Sequence, residues 1–331
     1  MTDIPVLSVR NLVVEIPTRH AVLRPVDQVS FDIARGEILG VVGESGAGKS
    51  MTGSAVIGLL DRPARIASGE VYLNGQRIDN LSQAQMRKIR GRGIGMVFQD
   101  PLTSLNPLLT VGEQLIETMC EHLDISKADA RTRAIRALEE VGIPAADHRI
   151  DSYPHAFSGG MRQRVVIALA LCAQPALIIA DEPTTALDVS VQAQIISLLK
   201  RLCRERGTAV MLVTHDMGVI AETADRVAVM YAGRTAELGP VREVLSRPRH
   251  PYTEGLMAST PQASLGQHRL RQIPGNMPRL GALPDGCAFH PRCTKGQDVC
   301  QRNPGPTLAA DAGRSACWFP VTHPKTVEEE V

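Results

Sequence analysis

Aromatic residues are scarce in this sequence: 1 Trp, 4 Tyr and 5 Phe make up 3% of the 331 residues. Binding of single-stranded nucleic acid draws on aromatic side chains that stack on bases, so this scarcity argues against such a platform. An excess of one charge is missing as well, because 36 Lys and Arg against 35 Asp and Glu leave a formal net charge of +1. Proteins that bind bare nucleic acid need a basic surface to displace counterions. The composition therefore predicts no nucleic-acid partner.

Long apolar runs are absent too. The longest, Val165 to Ala173, has nine residues, whereas a helix needs about 20 to cross a bilayer. The N-terminal segment MTDIPVLSVR lacks a basic stretch followed by an apolar one, so no secretion signal is predicted. We therefore expect a cytosolic protein whose seven cysteines do not form disulfides.

Proline divides the chain unevenly, with 10 of the 22 prolines in residues 1–239 and 12 in the remainder. At roughly 150 residues per domain the length predicts about two domains. We predict an α/β domain over residues 1–239, with a helical part at about 105–170, and an irregular extension over residues 240–331. A β-rich N-terminal part and a central α/β sheet are expected within the first domain.

Short, unbroken apolar segments indicate strands that are covered on both faces, as parallel strands are. They are Ile38–Val42, Ile94–Phe98, Leu177–Ala180 and Val210–Val213. Asn74-Gly75 suits a type I′ turn and predicts a hairpin over residues 70–78. From Val111 to about Val141 the pattern is helical, and it stops at Gly142.

One segment fits the pattern G-x-x-x-x-G-K-[ST], between a predicted strand and a helix that begins near Lys49. Its residues are Gly43, Glu44, Ser45, Gly46, Ala47, Gly48, Lys49 and Ser50. Glycines let such a loop curl so that backbone N–H groups face phosphate oxygens, and the helix N-terminus adds partial positive charge. Lys49 is expected to bridge the β- and γ-phosphates, and Ser50 to ligate Mg²⁺. The sequence therefore predicts a nucleoside triphosphate site, with ATP as the expected ligand.

Two adjacent carboxylates, Asp181 and Glu182, follow the predicted strand Leu177–Ala180. Without the phosphate loop, a solvated strand end would be the simplest interpretation. With the loop present, Asp181 is expected to hold Mg²⁺ through water. Glu182 is expected to polarise the attacking water as a general base.

Further motifs resemble those of ABC-type ATPases. They are the signature FSGGMRQR at residues 157–164, the D-loop Ala186-Leu187-Asp188, the switch histidine His215 and the Q-loop glutamine Gln99. Ser158 is expected to cap a helix that begins near Met161, leaving the N–H groups of Gly159 and Gly160 at a positive helix end. The resemblance extends over about residues 5–240. It implies a P-loop ATPase domain with a central mixed or parallel sheet, an N-terminal antiparallel β part and a helical subdomain that carries the signature.

The resemblance implies that two ATPase domains meet head to tail, so that Ser158, Gly159 and Gly160 close over the ATP of the other domain. It further implies that His215 contacts the γ-phosphate and that Gln99 approaches the Mg²⁺ site and reports nucleotide state to a membrane partner. One departure concerns adenine. Many relatives have an aromatic residue near the end of the first strand, where this chain has Ile16.

The C-terminal extension contains four clustered cysteines, Cys287, Cys293, Cys300 and Cys317. Four thiols in a short segment can saturate a metal centre. The segment Cys287–Cys293, with Arg249–Thr253 upstream, resembles the C-terminal region of ATP-binding subunits of oligopeptide and dipeptide importers. That resemblance implies a [4Fe-4S] cluster on the four cysteines. Zinc, with His290 replacing one thiolate, and four unliganded thiols are the alternatives.

The resemblance implies an ATP-hydrolysing subunit that powers import of short peptides and is bound peripherally at the cytoplasmic face of the cell membrane. Its expected partners are two integral membrane permease subunits, a second, related ABC ATPase subunit in a heterodimer, and an extracytoplasmic substrate-binding protein. Nickel chelates, opines and oligosaccharides are alternative substrates. The alternative function is a soluble ABC ATPase acting on nucleic acid or ribosomes, which the neutral charge disfavours.

Overall fold

Strands and helices alternate along the chain, as the sequence predicts. The structure is a computed structural model, which describes residues 4–184, 188–259, 272–308 and 315–323. In chain order the strands are β1 (Leu7–Pro17), β2 (Val22–Ile33), β3 (Ile38–Val42), β4 (Arg65–Leu73), β5 (Gln76–Arg77), β6 (Ile94–Val97), β7 (Leu177–Asp181), β8 (Ala209–Val213), β9 (Arg226–Tyr231) and β10 (Arg234–Pro240).

The helices, in the same order, are α1 (Lys49–Val56), α2 (Gln83–Ile89), α3 (Pro101–Ser104), α4 (Val111–His122), α5 (Lys127–Glu140), α6 (Ala146–Arg149), α7 (Gly159–Leu171), α8 (Val189–Arg206), α9 (Met217–Thr223), α10 (Val241–Ser246), α11 (Pro251–Ala258) and α12 (Asp298–Arg302). Short 3₁₀ turns lie at Pro154–Ala156, Leu280–Ala282 and His290–Arg292. Among the described residues, no helix combines the length and apolar character needed to cross a membrane.

Two sheets form the scaffold. An antiparallel sheet at the N-terminal end has the order β2-β1-β4-β5, and a central sheet has the order β10-β9-β3-β8-β7-β6. Neighbouring strands of the central sheet are parallel except for β10, which is antiparallel to β9. The sequence-based prediction of an antiparallel part followed by a mixed central sheet is confirmed.

Both faces of the central sheet are covered, which explains why its strands are apolar without interruption. Leu177 and Ile179 of β7 belong to one hydrophobic cluster with Phe31 of the antiparallel sheet. Ile178 and Ala180 belong to a second cluster, which includes residues of α4, α5, α7 and α8. Successive side chains of a strand point to opposite faces, so each face of β7 contributes to a separate core.

The predicted hairpin is present, with Asn74 at φ 49° and Gly75 at φ 79°, both in the left-handed region that a type I′ turn requires. The helical segment predicted over residues 111–141 is present, and it is divided into α4 and α5. Leu123 adopts an extended conformation at the end of α4, and the Ser126 side chain accepts a hydrogen bond from the Asp129 N–H and starts α5.

Described segments beyond β10 still contribute to the hydrophobic core. Tyr252 of α11 and Phe289 are buried and belong to the same hydrophobic cluster as α7. After α11, the described part has only 3₁₀ turns, the five-residue helix α12 and irregular segments. The domain division predicted at residue 239 stays a prediction.

Candidate nucleotide-hydrolysis site

The predicted nucleotide-site residues follow neighbouring strands of the central sheet. The phosphate loop follows β3, Gln99 follows β6, Asp181 ends β7 and His215 follows β8. These strands are parallel and adjacent in the order β3-β8-β7-β6. Their C-terminal ends therefore lie at one edge of the sheet, where ligands of open α/β sheets bind. The topology brings together residues that are up to 172 positions apart in the sequence, Gly43 and His215.

The phosphate loop depends on glycine at two close approaches. Gly43 has φ 152°, and a Cβ there would lie 2.2 Å from the backbone oxygen of Met230. Gly48 has φ 99°, and a Cβ there would lie 2.3 Å from the backbone oxygen of Pro25. Any larger residue would clash with backbone atoms at both positions, so the two glycines fix the curl of the loop.

Lys49 begins α1 and is only 5% exposed. Its Nζ donates hydrogen bonds to the backbone oxygens of Gly43, at 2.9 Å, and Glu44, at 3.1 Å. Burial lowers the pKa of Lys49, and the carboxylates of Glu182 and Asp181 oppose that shift. The lysine is therefore a largely desolvated cation inside the loop, where its attraction for phosphate is stronger than in water.

Ser50 and Asp181 lie together, as the sequence predicts for a Mg²⁺ site. The Ser50 hydroxyl donates a hydrogen bond of 2.9 Å to Asp181 Oδ1. Burial raises the pKa of Asp181, while the hydrogen bond from Ser50 lowers it. A hydroxyl and a carboxylate at the end of a phosphate loop are the oxygen ligands that Mg²⁺ prefers, so the donor set fits this ion.

Glu182 lies between the other two predicted catalytic side chains. Gln99 Nε2 donates to Glu182 Oε2 at 3.2 Å, and His215 Nδ1 lies 3.3 Å from Glu182 Oε1. The Glu182 backbone is in the left-handed region, with φ 45°, and its N–H donates to the backbone oxygen of Val213 at 2.9 Å. A non-glycine residue in this region is strained by about 1–3 kcal/mol. The hydrogen bond to β8 holds this strained backbone in place. Strained positions of this kind cluster at functional sites.

The signature segment forms the first turn of α7. The Ser158 side chain accepts a hydrogen bond from the Met161 N–H at 3.4 Å, as predicted for a cap. The helix begins at Gly159, two residues before the predicted start. Ser158 and Gly159 are exposed, and Gly160 packs on α8, because a Cβ there would lie 2.8 Å from Val191 Cγ1. The exposed first turn offers N–H groups to an anion.

Two sequence predictions concern the neighbourhood of this site. Ala186 and Leu187 of the predicted D-loop lie outside the described residues, while Asp188 caps α8 by accepting from the Val191 N–H at 2.9 Å. Ile16, which stands where many relatives have an aromatic residue, is half-buried and pairs with Leu23 across β1 and β2.

The four C-terminal cysteines line one cavity, together with His250 and His290. No group of three or more His, Cys, Asp or Glu side chains is arranged to hold a metal ion anywhere in the described ranges. Burial raises the pKa of the Cys287 and Cys293 thiols, and that of Cys317 to about 11. The structure therefore does not support the predicted [4Fe-4S] or zinc site, which stays a prediction.

Sequence reasoning missed one part of the site, the contact between the phosphate loop and the C-terminal segment. Arg292 Nη1 donates to both carboxylate oxygens of Glu44, at 2.9 and 3.1 Å. The Glu44 N–H donates to the Tyr252 hydroxyl at 2.9 Å. Both Arg292 and Tyr252 lie in segments noted only for their family resemblance, and no spacing rule connects them to a residue about 200 positions earlier.

A phosphate loop, an acidic pair, a glutamine and a histidine at adjacent strand ends, with a separate Ser-Gly-Gly helix start, define an ABC-type ATPase domain. Residues 26–185 match the family model "ABC transporter", and residues 236–300 match "Oligopeptide/dipeptide transporter, C-terminal region". The chain belongs to the family of ATP-binding subunits of oligopeptide and dipeptide ABC transporters.

Curated relatives match over nearly the whole chain. The dipeptide transport ATP-binding protein DppD of Bacillus subtilis is 48% identical over 316 residues, which are 95% of this chain and 94% of that protein. The oligopeptide transport ATP-binding protein OppD of Salmonella typhimurium is also 48% identical, over 95% of this chain and 94% of that protein.

Solved structures confirm the fold of the ATPase part. A dimeric ATP-binding cassette, MJ0796, in a post-hydrolysis state with ADP and Pi, superposes with a TM-score of 0.64 at 30% identity. The match covers 71% of this chain and 99% of that chain.

Proposed function

We propose that this chain is the ATP-hydrolysing subunit of a membrane importer for short peptides. The observation that carries the proposal is the position of Glu182, between Gln99 and His215 and next in sequence to Asp181, which is hydrogen-bonded to Ser50 of the phosphate loop. A general base, a metal-binding carboxylate and a phosphate cradle are the parts that hydrolysis of a nucleoside triphosphate needs.

The loop residues bind the triphosphate. The N–H groups at the start of α1 and the buried ammonium of Lys49 attract the β- and γ-phosphates. Ser50 and Asp181 would hold Mg²⁺, which supplies neutralisation of the charge on the phosphate oxygens. Because Lys49 is already hydrogen-bonded to two carbonyl oxygens of its own loop, the loop and the cation are held near each other before phosphate binds.

Glu182 and the two side chains beside it carry out the hydrolysis step. Glu182 accepts a proton from a water molecule, whose oxygen forms a bond to the γ-phosphorus while the bond from that phosphorus to the β–γ bridging oxygen breaks, giving ADP and phosphate. Gln99 and His215 contact the two oxygens of the Glu182 carboxylate. They orient the carboxylate, and His215, whose side chain is 64% exposed, is accessible to the γ-phosphate.

The signature residues Ser158, Gly159 and Gly160 act on a second nucleotide. Ser158 and Gly159 are exposed, so in a head-to-tail pair this helix start closes over the ATP of a second ATPase subunit. We favour a heterodimer with a related chain. Two integral membrane permease subunits bind the pair at the cytoplasmic face of the membrane, and an extracytoplasmic binding protein supplies the substrate.

Short peptides are the proposed substrate because the relatives are named for dipeptide and oligopeptide transport and the C-terminal match carries the same description. Nickel chelates, opines and oligosaccharides remain alternative substrates, since solute contacts lie in other subunits. Nothing in the comparisons supports a soluble ATPase acting on nucleic acid or ribosomes.

A trapped complex tests the proposal. The Glu182→Gln chain, tagged and expressed in cells that carry its partner genes, is supplied with ATP to hold the closed dimer, and membranes are solubilised gently before purification. We expect mass spectrometry to identify two multi-spanning proteins and a second ATPase. The binding protein of the same system then identifies the substrate by its ligand.

A Lys49→Met chain treated in the same way is the matched control, because it is expected to bind ATP poorly and to release its second ATPase. Recovery of ribosomal or nucleic-acid proteins with Glu182→Gln, and of no membrane protein, would overturn the proposal.

We also propose that Cys287, Cys293, Cys300 and Cys317 hold a [4Fe-4S] cluster. The support is the chemistry of the donors: four thiols line a single cavity, and thiolates are the ligands of such clusters. Cluster binding would require the thiols to deprotonate and to move together from their present placement. We expect a structural or sensing role, since no group in the described part of the extension suggests redox chemistry on a substrate.

Chemical analysis decides between the cluster and its alternatives. Protein purified without oxygen is expected to contain about four iron and four acid-labile sulfide atoms per chain, and Cys293→Ser to lose them together with stability or ATPase activity. Zinc without sulfide would favour the zinc alternative. A metal-free protein, with Cys293→Ser unchanged in stability and activity, would leave four unliganded thiols.

A further inference from the structure

Glu44 places a negative charge on a loop that is expected to bind negatively charged phosphates. Glu44 is the second residue of the phosphate loop, and its carboxylate is 30% exposed. A carboxylate within several ångströms of bound phosphates repels them, and the repulsion is stronger in a partly desolvated site than in water. Compensation of the Glu44 charge is therefore expected to favour ATP binding at this loop.

Arg292 supplies that compensation from the other end of the chain. Its guanidinium contacts both oxygens of Glu44 through one nitrogen, at 2.9 and 3.1 Å, and its side chain is 6% exposed. Lys49, the other cation near Glu44, is hydrogen-bonded to the Glu44 backbone oxygen rather than to its carboxylate. Charge-assisted hydrogen bonds of this kind are about twice as strong as neutral ones.

Arg292 is itself held in place. Its Nε donates to the backbone oxygen of Pro274 at 2.9 Å, and its Nη1 lies 3.4 Å from the Tyr231 hydroxyl. Its guanidinium carbon lies 5.8 Å from the centre of the Tyr231 ring, within cation–π distance. The 3₁₀ turn His290–Arg292 fixes its backbone. A guanidinium with these contacts loses little freedom when it pairs with Glu44.

A second contact from the same part of the chain fixes the backbone of Glu44. The Tyr252 hydroxyl accepts the Glu44 N–H at 2.9 Å, so this N–H is directed at α11. Tyr252 is fully buried. Met277 also reaches the loop, since a Cβ on Gly46 would lie 3.1 Å from Met277 Cε. Three residues beyond position 250 thus lie against Glu44 and Gly46 of the loop.

We propose that Arg292 is a positioning residue for ATP binding: by pairing with Glu44 it neutralises the carboxylate inside the phosphate loop and holds the loop in its phosphate-binding curl. The proposal rests on the proposed function, because it takes a nucleoside triphosphate as the ligand of the loop. It extends that function by making the nucleotide affinity of the ATPase domain depend on the C-terminal segment.

Nucleotide titrations of the full chain test the proposal, with Mg²⁺ and a fluorescent ATP analogue as the probe. Arg292→Met, which keeps an apolar stem but removes the charge, is expected to weaken binding of the ATP analogue about tenfold or more. The ADP analogue is expected to lose less, because it carries less negative charge. ATPase assays should show a raised KM with kcat changed less than about twofold, since Gln99, Glu182 and His215 are untouched.

A double variant distinguishes the effect of the Glu44 charge from the support that Arg292 gives to the loop. If the uncompensated carboxylate causes the loss, Glu44→Gln in the Arg292→Met background restores most of the affinity. If the double variant binds as weakly as Arg292→Met, the neutralisation proposal is overturned. Lys295→Met is the matched control: Lys295 lies three positions from Arg292 and pairs at 2.9 Å with Glu254 of α11, so its loss is expected to leave nucleotide affinity unchanged.

Glu44→Gln alone keeps the proposal testable if Arg292→Met fails to fold. An amide oxygen still accepts from Arg292, and the loop becomes more positive, so ATP affinity should be unchanged or higher. A tenfold loss in Glu44→Gln would contradict the proposal. If the unaltered chain binds no nucleotide, the proposed function itself fails. If it binds and Arg292→Met binds equally well, only the role of Arg292 fails.

Discussion

The two flanks of the phosphate loop are held in different ways. On the catalytic flank, side chains at the ends of adjacent strands contact one another at 2.9–3.3 Å: Ser50 with Asp181, and Gln99 and His215 with Glu182. On the other flank, Glu44 is held by Arg292 and Tyr252 from beyond the central sheet. The catalytic groups therefore come from the sheet, whereas the placement of the loop also depends on the C-terminal segment.

The flanks also differ in how they respond to charge. On the catalytic flank, Ser50 and Asp181 place oxygen ligands beside the loop, and Glu182 lies between Gln99 and His215 in the position proposed for a general base. On the other flank, the charges of Glu44 and Arg292 compensate each other within the protein. We therefore expect changes on the catalytic flank to alter turnover, and changes on the other flank to alter affinity or stability.

The largest effect is expected for Glu182→Gln. Removing the general base should lower kcat about a hundredfold or more, while the affinity for ATP stays within about threefold because the phosphate cradle is intact. Phosphate release and nucleotide titration measure the two quantities. Glu139→Gln, on the exposed surface of α5, is the matched control. Near-normal turnover in Glu182→Gln would refute the role of Glu182.

Much of the catalytic flank can be predicted from the sequence, because its residues are local to strand ends. The apolar segment Ile38–Val42 and the glycine pattern after it predict a strand, a loop and a helix, and the structure has β3, Gly43–Ser50 and α1 in these places. Short-range rules on burial and loop curvature suffice here. The pairing of strands distant in sequence then brings Gln99 and His215 to Glu182.

The other flank could not be predicted, since a contact between residues 44 and 292 depends on how an irregular segment packs on the core. Neither residue is in a periodic pattern, and each is an ordinary charged residue when considered alone. The division between α4 and α5 depends on two local features, the extended backbone of Leu123 and the Ser126 cap. An overall helical pattern does not indicate such a short break.

Lys49 is linked to both flanks, because its Nζ donates to the Glu44 backbone oxygen and its charge interacts with the carboxylates of Glu182 and Asp181. Its replacement therefore tests what the two flanks share. Lys49→Met should weaken ATP binding roughly tenfold to a hundredfold, as expected for loss of hydrogen bonds from a buried cation to phosphate. Isothermal titration measures the affinity, and Lys127→Met, at the N-terminal end of α5, is the control. An unchanged dissociation constant would show that the loop binds phosphate through its backbone alone.

Ser50→Ala changes the catalytic flank only at a predicted Mg²⁺ ligand. The variant loses a hydroxyl ligand and leaves Asp181 without its hydrogen-bond donor. We expect the Mg²⁺ concentration for half-maximal ATPase activity to rise roughly tenfold, with a smaller effect at saturating Mg²⁺. Ser54→Ala, one turn further along α1, is the control. Equal Mg²⁺ requirements in the two variants would contradict the assignment of Ser50.

The smallest effect on the nucleotide site is expected from His250, which supports α11 behind Tyr252. Its Nδ1 accepts the Tyr252 N–H at 3.0 Å, and burial lowers its pKa from 6.5 to about 4. The unfolded chain therefore binds a proton at His250 below pH 6.5 while the folded chain does not. This residue makes the protein less stable as pH falls from 6.5 toward 4, by about 2 kcal/mol between pH 6.5 and 5.

His250→Asn isolates that contribution, because asparagine can still cap α11 but does not titrate. Burial raises the pKa of Glu237, which accepts the His250 N–H, and gives a slope of the opposite sign in this pH range. That slope is common to both proteins, so the difference between their unfolding free energies at pH 6.5 and pH 5 reports His250 alone. ATPase kinetics at pH 7 should differ little, because asparagine leaves Tyr252 and Glu44 in contact. If the unfolding free energies of the two proteins depend on pH in the same way, His250 takes up its proton equally well in the folded and the unfolded chain, which would contradict the prediction.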